Sequence, residues 1–166
     1  MLPAAYGRAM SRKHLPSSLR IEGEAIDLPH DAVVVFVDHQ HARLVFLDGI
    51  DLEEATFAQV RLVEPHRRFR MSDRSEGARF GKAHPDETAL YDAVIAAIGR
   101  CTRAIVVGPG TARRELMARA ASNDAASIEG RVVADEARDR LNDAQLVALG
   151  RTRLPIPGGH PPPRGR

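Results

Sequence analysis

A chain of 166 residues with 43% hydrophobic side chains is long enough for one domain with a substantial core and too short for two ordinary ones. The lack of Trp and an aromatic content of 4% argue against a surface of stacking platforms for single-stranded nucleic acid, and a single cysteine, Cys101, rules out a disulfide framework or a thiolate metal cluster within the chain. The formal charge of +2 hides an asymmetry: residues 1–20 and 151–166 hold eight basic side chains and no acid, leaving 16 basic against 22 acidic side chains in 21–150.

No run approaches the ~18 apolar residues of a membrane helix, and Arg8, Arg12 and Lys13 precede no apolar block of the kind a secretory signal needs. A lone thiol suits a reducing compartment, so the expectation is a cytoplasmic protein with no membrane partner. Residues 1–28 read as a basic, flexible N-terminal segment, 29–150 as the folded domain, and 151–166 as a flexible Pro/Gly/Arg-rich tail. Such a tail is either a solubilising end or a cationic arm that touches phosphate.

The first element of the domain is the apolar run Ala32–Val37. The polar link Asp38-His39-Gln40-His41-Ala42 joins it to a second run, Arg43–Leu47, which makes a β-hairpin, and Asp48-Gly49 turns the chain back again. A third strand fits Ala55–Val63, with Phe57, Gln59, Arg61 and Val63 on one face and Thr56, Ala58, Val60 and Leu62 on the other. At Pro85-Asp86-Glu87 a proline and two acids suit a helical first turn, and Leu90, Tyr91, Val94, Ile95 and Ile98 recur at helical spacing up to Gly99. The β-branched run Ala104–Val107 then breaks on Gly108-Pro109-Gly110 and restarts as the helix formers Ala112–Arg119, a buried strand feeding a helix. Residues 130–135 suit a last strand. Asn142–Gly150 suits a last helix, with an Asn cap and a Gly stop.

The order βββαβαβα constrains topology. A helical crossover between strands is normally right-handed and leads to a parallel neighbour, so the run at 104–107 should lie beside that at 32–37. The expectation is an α/β domain with a mixed five-stranded sheet of order 3-2-1-4-5 and helices on both faces, the arrangement of the ribonuclease H-like fold.

The hairpin from Val33 to Gly49, the corner Ile105-Val106-Val107-Gly108-Pro109-Gly110-Thr111 and the closing Asp143-Ala144-Gln145-Leu146-Val147 resemble the central domain of the archaeo-eukaryotic peptide-chain release factor and Pelota family. They resemble more closely its small single-domain bacterial relatives, the translational machinery proteins. The resemblance covers roughly residues 29–150 and implies a translation-associated role, with the ribosome, ribosomal RNA or transfer RNA as partner. Release factors carry Gly-Gly-Gln between the third strand and the first helix, where it promotes peptidyl-tRNA hydrolysis. Residues 64–82 of this chain contain no Gly-Gly-Gln, and the remaining residues leave no room for a codon-reading domain, so stop-codon-dependent release is not expected.

That segment instead holds Arg67, Arg68, Arg70, Arg74, Arg79 and Lys82 against three acids, with Phe69 and Phe80 interleaved. Guanidinium groups bind phosphate bidentately and a basic segment can order itself on an RNA backbone, so these six residues are the candidate RNA contacts. The alternative is a solvated charged loop anchored by its phenylalanines. The acidic body favours a limited RNA footprint.

An enzymatic reading competes: a ribonuclease H-like fold can carry a two-metal nuclease whose carboxylates flank the phosphate. Asp38 is placed for the first of these, but the fourth strand ends in Gly108-Pro109-Gly110 without an acid, and Asp86 or Glu87 alone does not complete the set. Asp38, His39 and His41 offer metal-ligand types but lack a second cluster in the sequence. The Gly-Pro-Gly corner lacks the Lys of a P-loop. The sequence therefore points to a non-enzymatic protein with no catalytic residue, no cofactor and no bound metal. A nuclease or a homo-oligomeric adaptor is the alternative, and a homodimer could form through strand edges at 55–63 or 131–135.

Overall fold

A computed structural model of the chain describes residues 19–63, 85–122, 128 and 130–154. Among these described residues, six strands form one mixed sheet: β1 (Leu19–Glu22), β2 (His30–Val37), β3 (His41–Asp48), β4 (Glu54–Leu62), β5 (Cys101–Gly108) and β6 (Val132–Ala137), with three α-helices, α1 (Pro85–Gly99), α2 (Gly110–Ala121) and α3 (Asp143–Arg153). The strand order is β1-β4-β3-β2-β5-β6. β2, β3 and β4 form an antiparallel meander, while β5 lies parallel to β2 and β6 parallel to β5.

This six-strand order differs from the expected five-strand one by an additional edge strand, β1, antiparallel to β4 with Leu19 opposite Leu62 and Ile21 opposite Val60. Residues 19–28 thus belong to the folded body, since a short 3-10 turn at Glu24–Asp27 follows β1 and buries Ile26. The outer edge of β4, one of the two edges open to pairing in the five-strand reading, is covered by β1.

β2 and β5 are continuous apolar runs because both of their faces are covered. Val33, Val35, Val37, Ala104 and Val106 join Leu90, Val94, Ile98 and Leu116 of α1 and α2 in one core. Ala32, Val34, Phe36, Ile105 and Val107 join Leu146 of α3 and Leu154 in the other. β4 is half-buried and alternates as read from the sequence: Ala58, Val60 and Leu62 are buried, while Phe57, Gln59 and Arg61 face the other way. Gln59 and Arg61 there bond to Glu22.

The closing helix starts as expected and ends differently. Asn142 caps it through a reciprocal capping box with Gln145, at 2.8 Å in both directions. Gly150, however, is not its stop: α3 runs on to Arg153, and Leu154 is buried. The glycine serves packing, since a Cβ there would lie 2.4 Å from Leu47 Cδ1 and 2.7 Å from Val34 Cγ2. Arg151 fixes the end of the helix by donating to the carbonyls of Leu52 and Glu53.

Cys101 opens β5, buried, with its thiol donating to the Ala97 carbonyl. Burial, followed by the charge of Asp48, pushes the thiol up to about 12, so almost no thiolate exists at pH 8. A disulfide exchange reagent at pH 8 should therefore label Cys101 at the rate of unfolding, and at once in denaturant. Rapid stoichiometric labelling of the native protein would contradict this placement.

Candidate functional site

β2 and β5 point their carboxyl ends in the same direction, and β4 runs parallel to β2 because two antiparallel pairings separate them. In open α/β sheets, ligands collect at the carboxyl ends of the parallel strands. Here that end carries the β2–β3 turn, the Gly108-Pro109-Gly110 corner, the start of α2 and the start of α1.

Asp38 builds the turn. Its backbone N–H donates to the His41 carbonyl at 2.9 Å, and its Oδ1 accepts from the N–H groups of Gln40 and His41, each at 2.8 Å. Its Oδ2 lies 3.0 Å from His41 Nδ1. Burial alone would raise the Asp38 carboxyl, but the His41 side chain and the two turn N–H groups outweigh it and hold the carboxyl below its usual range. Asp38, the expected first carboxylate of a nuclease, thus spends its oxygens on the turn. His41 is drawn to Asp38.

With the turn locked, His39 stands at its tip against α1 and α2. Its Nδ1 lies 3.8 Å from Glu87 Oε1 and 3.7 Å from Glu115 Oε1, both partly buried carboxylates. Glu87 and Tyr91 are four residues apart on α1 and share one face, which places the Tyr91 hydroxyl beneath the same group. That hydroxyl donates to Glu115 Oε1 at 2.9 Å and sits 3.4 Å from His39 Nδ1. Four residues beyond Glu115, Arg119 grips both oxygens of Asp92 at 2.7 and 2.9 Å, fixing α2 against α1 beside the cluster.

Two carboxylates around one imidazole give the cluster a negative balance. The Glu87 side chain, followed by the charge of Glu115, raises the His39 ring above its ordinary value despite partial burial. Burial, then the neighbouring Glu115, pushes the Tyr91 phenol up, so it stays a neutral donor. The ligand atoms of His39, Glu87 and Glu115 all lie within 4.8 Å of one another, the spacing of a group able to hold a metal ion.

The sequence singled out His39 and Glu87 separately and missed Glu115 and Tyr91. Their only sequence signal is spacing: Glu87 and Tyr91 stand at i and i+4, and Glu115 lies five residues after the glycine that opens α2. The six basic residues Arg67, Arg68, Arg70, Arg74, Arg79 and Lys82 lie outside the described residues, but the two points where their segment joins the fold do not. Leu62, the last residue of β4, donates from its N–H to the Gln40 carbonyl at 2.9 Å, and α1 resumes two residues before Glu87.

The corner at 108–110 is a packing device. Gly108 has φ +147, and a Cβ there would lie 2.1 Å from the Val37 carbonyl oxygen. α2 begins at Gly110 with no side-chain cap. Among the described residues, no helix is long and apolar enough to cross a membrane. The chain matches no protein-family model, and no curated protein or solved structure is significantly similar to it.

Proposed function

We propose that this chain is a non-catalytic, translation-associated domain that binds RNA, on the ribosome or as transfer RNA, at the carboxyl end of its parallel strands. The observation that carries this reading is the place where the Arg-rich segment joins the fold. Residues 64–82 leave from the end of β4, beside the Gln40 carbonyl, and the chain returns at the start of α1, beside His39. Both attachment points therefore flank the sheet end where α/β domains hold ligands. The start of α2 lies there too, and helix N-termini favour phosphate.

The likeness of the hairpin, the Gly-Pro-Gly corner and the closing helix to the release factor and Pelota central domain supports the same reading, and a mixed sheet with helices on both faces is compatible with it. Without Gly-Gly-Gln, such a domain occupies a site and does not hydrolyse peptidyl-tRNA. In this reading the protein works in the cytoplasm and needs no cofactor.

Binding to purified ribosomes and to a labelled transfer RNA, measured across a salt series, tests the proposal. Replacing Arg67, Arg68 and Arg70 together with Ala should weaken binding and reduce the slope of log affinity against log salt by about 2, the contribution of three phosphate contacts on single-stranded RNA. Unchanged affinity and slope would remove the segment from the interface. Absence of the native protein from every ribosomal fraction at low salt, with no transfer RNA binding, would overturn the proposal.

A further inference from the structure

The geometry points to a divalent metal site formed by His39, Glu87 and Glu115, taking a first-row transition ion of the zinc class. Three ligands arrive from three separate elements: the β2–β3 turn, the first turns of α1 and the middle of α2. One imidazole nitrogen and two carboxylate oxygens are a donor set that zinc and manganese accept, and three protein ligands leave positions for water or an anionic oxygen.

The dimensions fit with little movement. Around an ion with ligands at about 2.1 Å, tetrahedral donors stand about 3.4 Å apart. The His39 nitrogen lies 3.8 and 3.7 Å from the two glutamate oxygens, and all three ligand atoms lie within 4.8 Å of one another, so side-chain rotation alone brings them to an ion. Each side chain is partly buried, at 41% exposure for His39, 27% for Glu87 and 34% for Glu115, which leaves an approach for the ion and limits hydration of the ligands.

A second observation separates the trio from an ordinary surface acidic patch. Tyr91, with 1% of its surface exposed, directs its hydroxyl to Glu115 Oε1, the kind of outer-shell donor that orients a metal-bound carboxylate. Asp38 rigidifies the turn bearing His39 through both N–H groups that follow it, and Arg119 with Asp92 holds the two helices together. Ligands, ligand-orienting hydroxyl and supporting ion pair are thus all anchored to packed elements, as a preorganised site requires.

The inference stands apart from the RNA reading, since the ion is measured on the protein alone. The untagged full-length protein, stripped with a chelator and titrated with Zn²⁺ by calorimetry, should bind one equivalent at a saturable site and gain thermal stability. His39→Ala and Glu115→Gln should each weaken that equivalent at least tenfold, whereas Glu54→Gln, at the opposite end of the sheet, should not. Tyr91→Phe should weaken it less than either ligand change. If a ligand variant fails to fold, the unaltered protein still decides. Substoichiometric Mn²⁺ should broaden the His39 ring resonances before those of His30, which opens β2 at the other end of the sheet. No saturable equivalent of Zn²⁺, unchanged affinity in both ligand variants, or equal broadening of the two histidines would overturn the assignment.

Discussion

Replacing Gly108 with Ala should cost about 3 kcal/mol of stability or more, while the same change at Gly110 should stay within about 0.5 kcal/mol. The two glycines flank one proline, the first closing β5 and the second opening α2, and it is their surroundings that set the size of each effect. Gly108 has φ +147, a region that L side chains rarely enter, and its Cβ would lie 2.1 Å from the carbonyl oxygen of Val37 and 3.2 Å from the carbonyl carbon. Val37 is the last residue of the central strand β2, fixed by pairing to β3 on one side and by its neighbours' pairing to β5 on the other. No flexible side chain is available to move aside, so the substitution must part β2 from β5 or rebuild the corner. Gly110 meets nothing within 4 Å where its Cβ would stand.

Thermal denaturation checks the pair directly. At this chain length, 3 kcal/mol corresponds to a fall in Tm of about 10 °C. Equal midpoints for Gly108→Ala and Gly110→Ala would show that the close approach does not exist in solution. The damage should also reach the metal site, because Val37 immediately precedes the Asp38 turn that carries His39. Loss of Zn²⁺ binding in Gly108→Ala, with retention in Gly110→Ala, is the expected companion result.

That corner was legible in the sequence as a strand meeting a helix, because its two glycines and the β-branched run before them are local signals. The expected pairing of the run at 104–107 with that at 32–37 likewise follows from the handedness of a crossover, and the structure has it. β1 was not legible. Leu19–Glu22 has the right alternation, but four residues are too few for a period to stand out, and what makes them a strand is the unpaired edge of β4, some forty residues later. The end of α3 was misread for a related reason. A glycine after helical periodicity signals a stop on local grounds, whereas Gly150 is set by the side chains of Val34 and Leu47, on strands a hundred residues earlier.

The candidate metal site shows the same divide. Asp38-His39-Gln40-His41 is visible as a cluster of ligand types in four consecutive residues, and the sequence invites pairing His39 with its neighbours. The fold instead gives His41 to Asp38 and His39 to two glutamates that are 48 and 76 positions away. Their convergence depends on the relative rotation of α1 and α2, fixed by Leu90, Val94 and Leu116 in the core and by the Asp92–Arg119 pair. No window of the sequence contains that rotation.

Phe46→Ala should destabilise the protein by about 3–5 kcal/mol, and Phe57→Ala, on the adjacent strand, by less than about 1 kcal/mol. Both are β-strand phenylalanines in the same meander, one position out of step: Phe46 lies opposite Thr56, and Val45 opposite Phe57. The offset sends them to opposite faces. Phe46 is fully buried in the core beneath α1 and α2, whereas Phe57 is 47% exposed on the face that α3 leaves open over β4. Removing the Phe46 ring deletes buried apolar surface and leaves a cavity that a rigid sheet cannot close. It also removes the surface on which the His30 ring stacks at 4.3 Å. His30 ties three segments together, with Nδ1 2.7 Å from Asp48 Oδ2 and Nε2 2.7 Å from the Ala25 carbonyl. Without the ring, those contacts lose the support that orients them, and the 3-10 turn at Glu24–Asp27 loses part of its hold on the sheet. Urea unfolding should therefore show a large fall in midpoint for Phe46→Ala at an unchanged m-value, with Phe57→Ala nearly superimposed on the parent protein. A small effect at Phe46, or an equal one at Phe57, would mean that the register between β3 and β4 is wrong by one residue, since a slip of one exchanges the two faces.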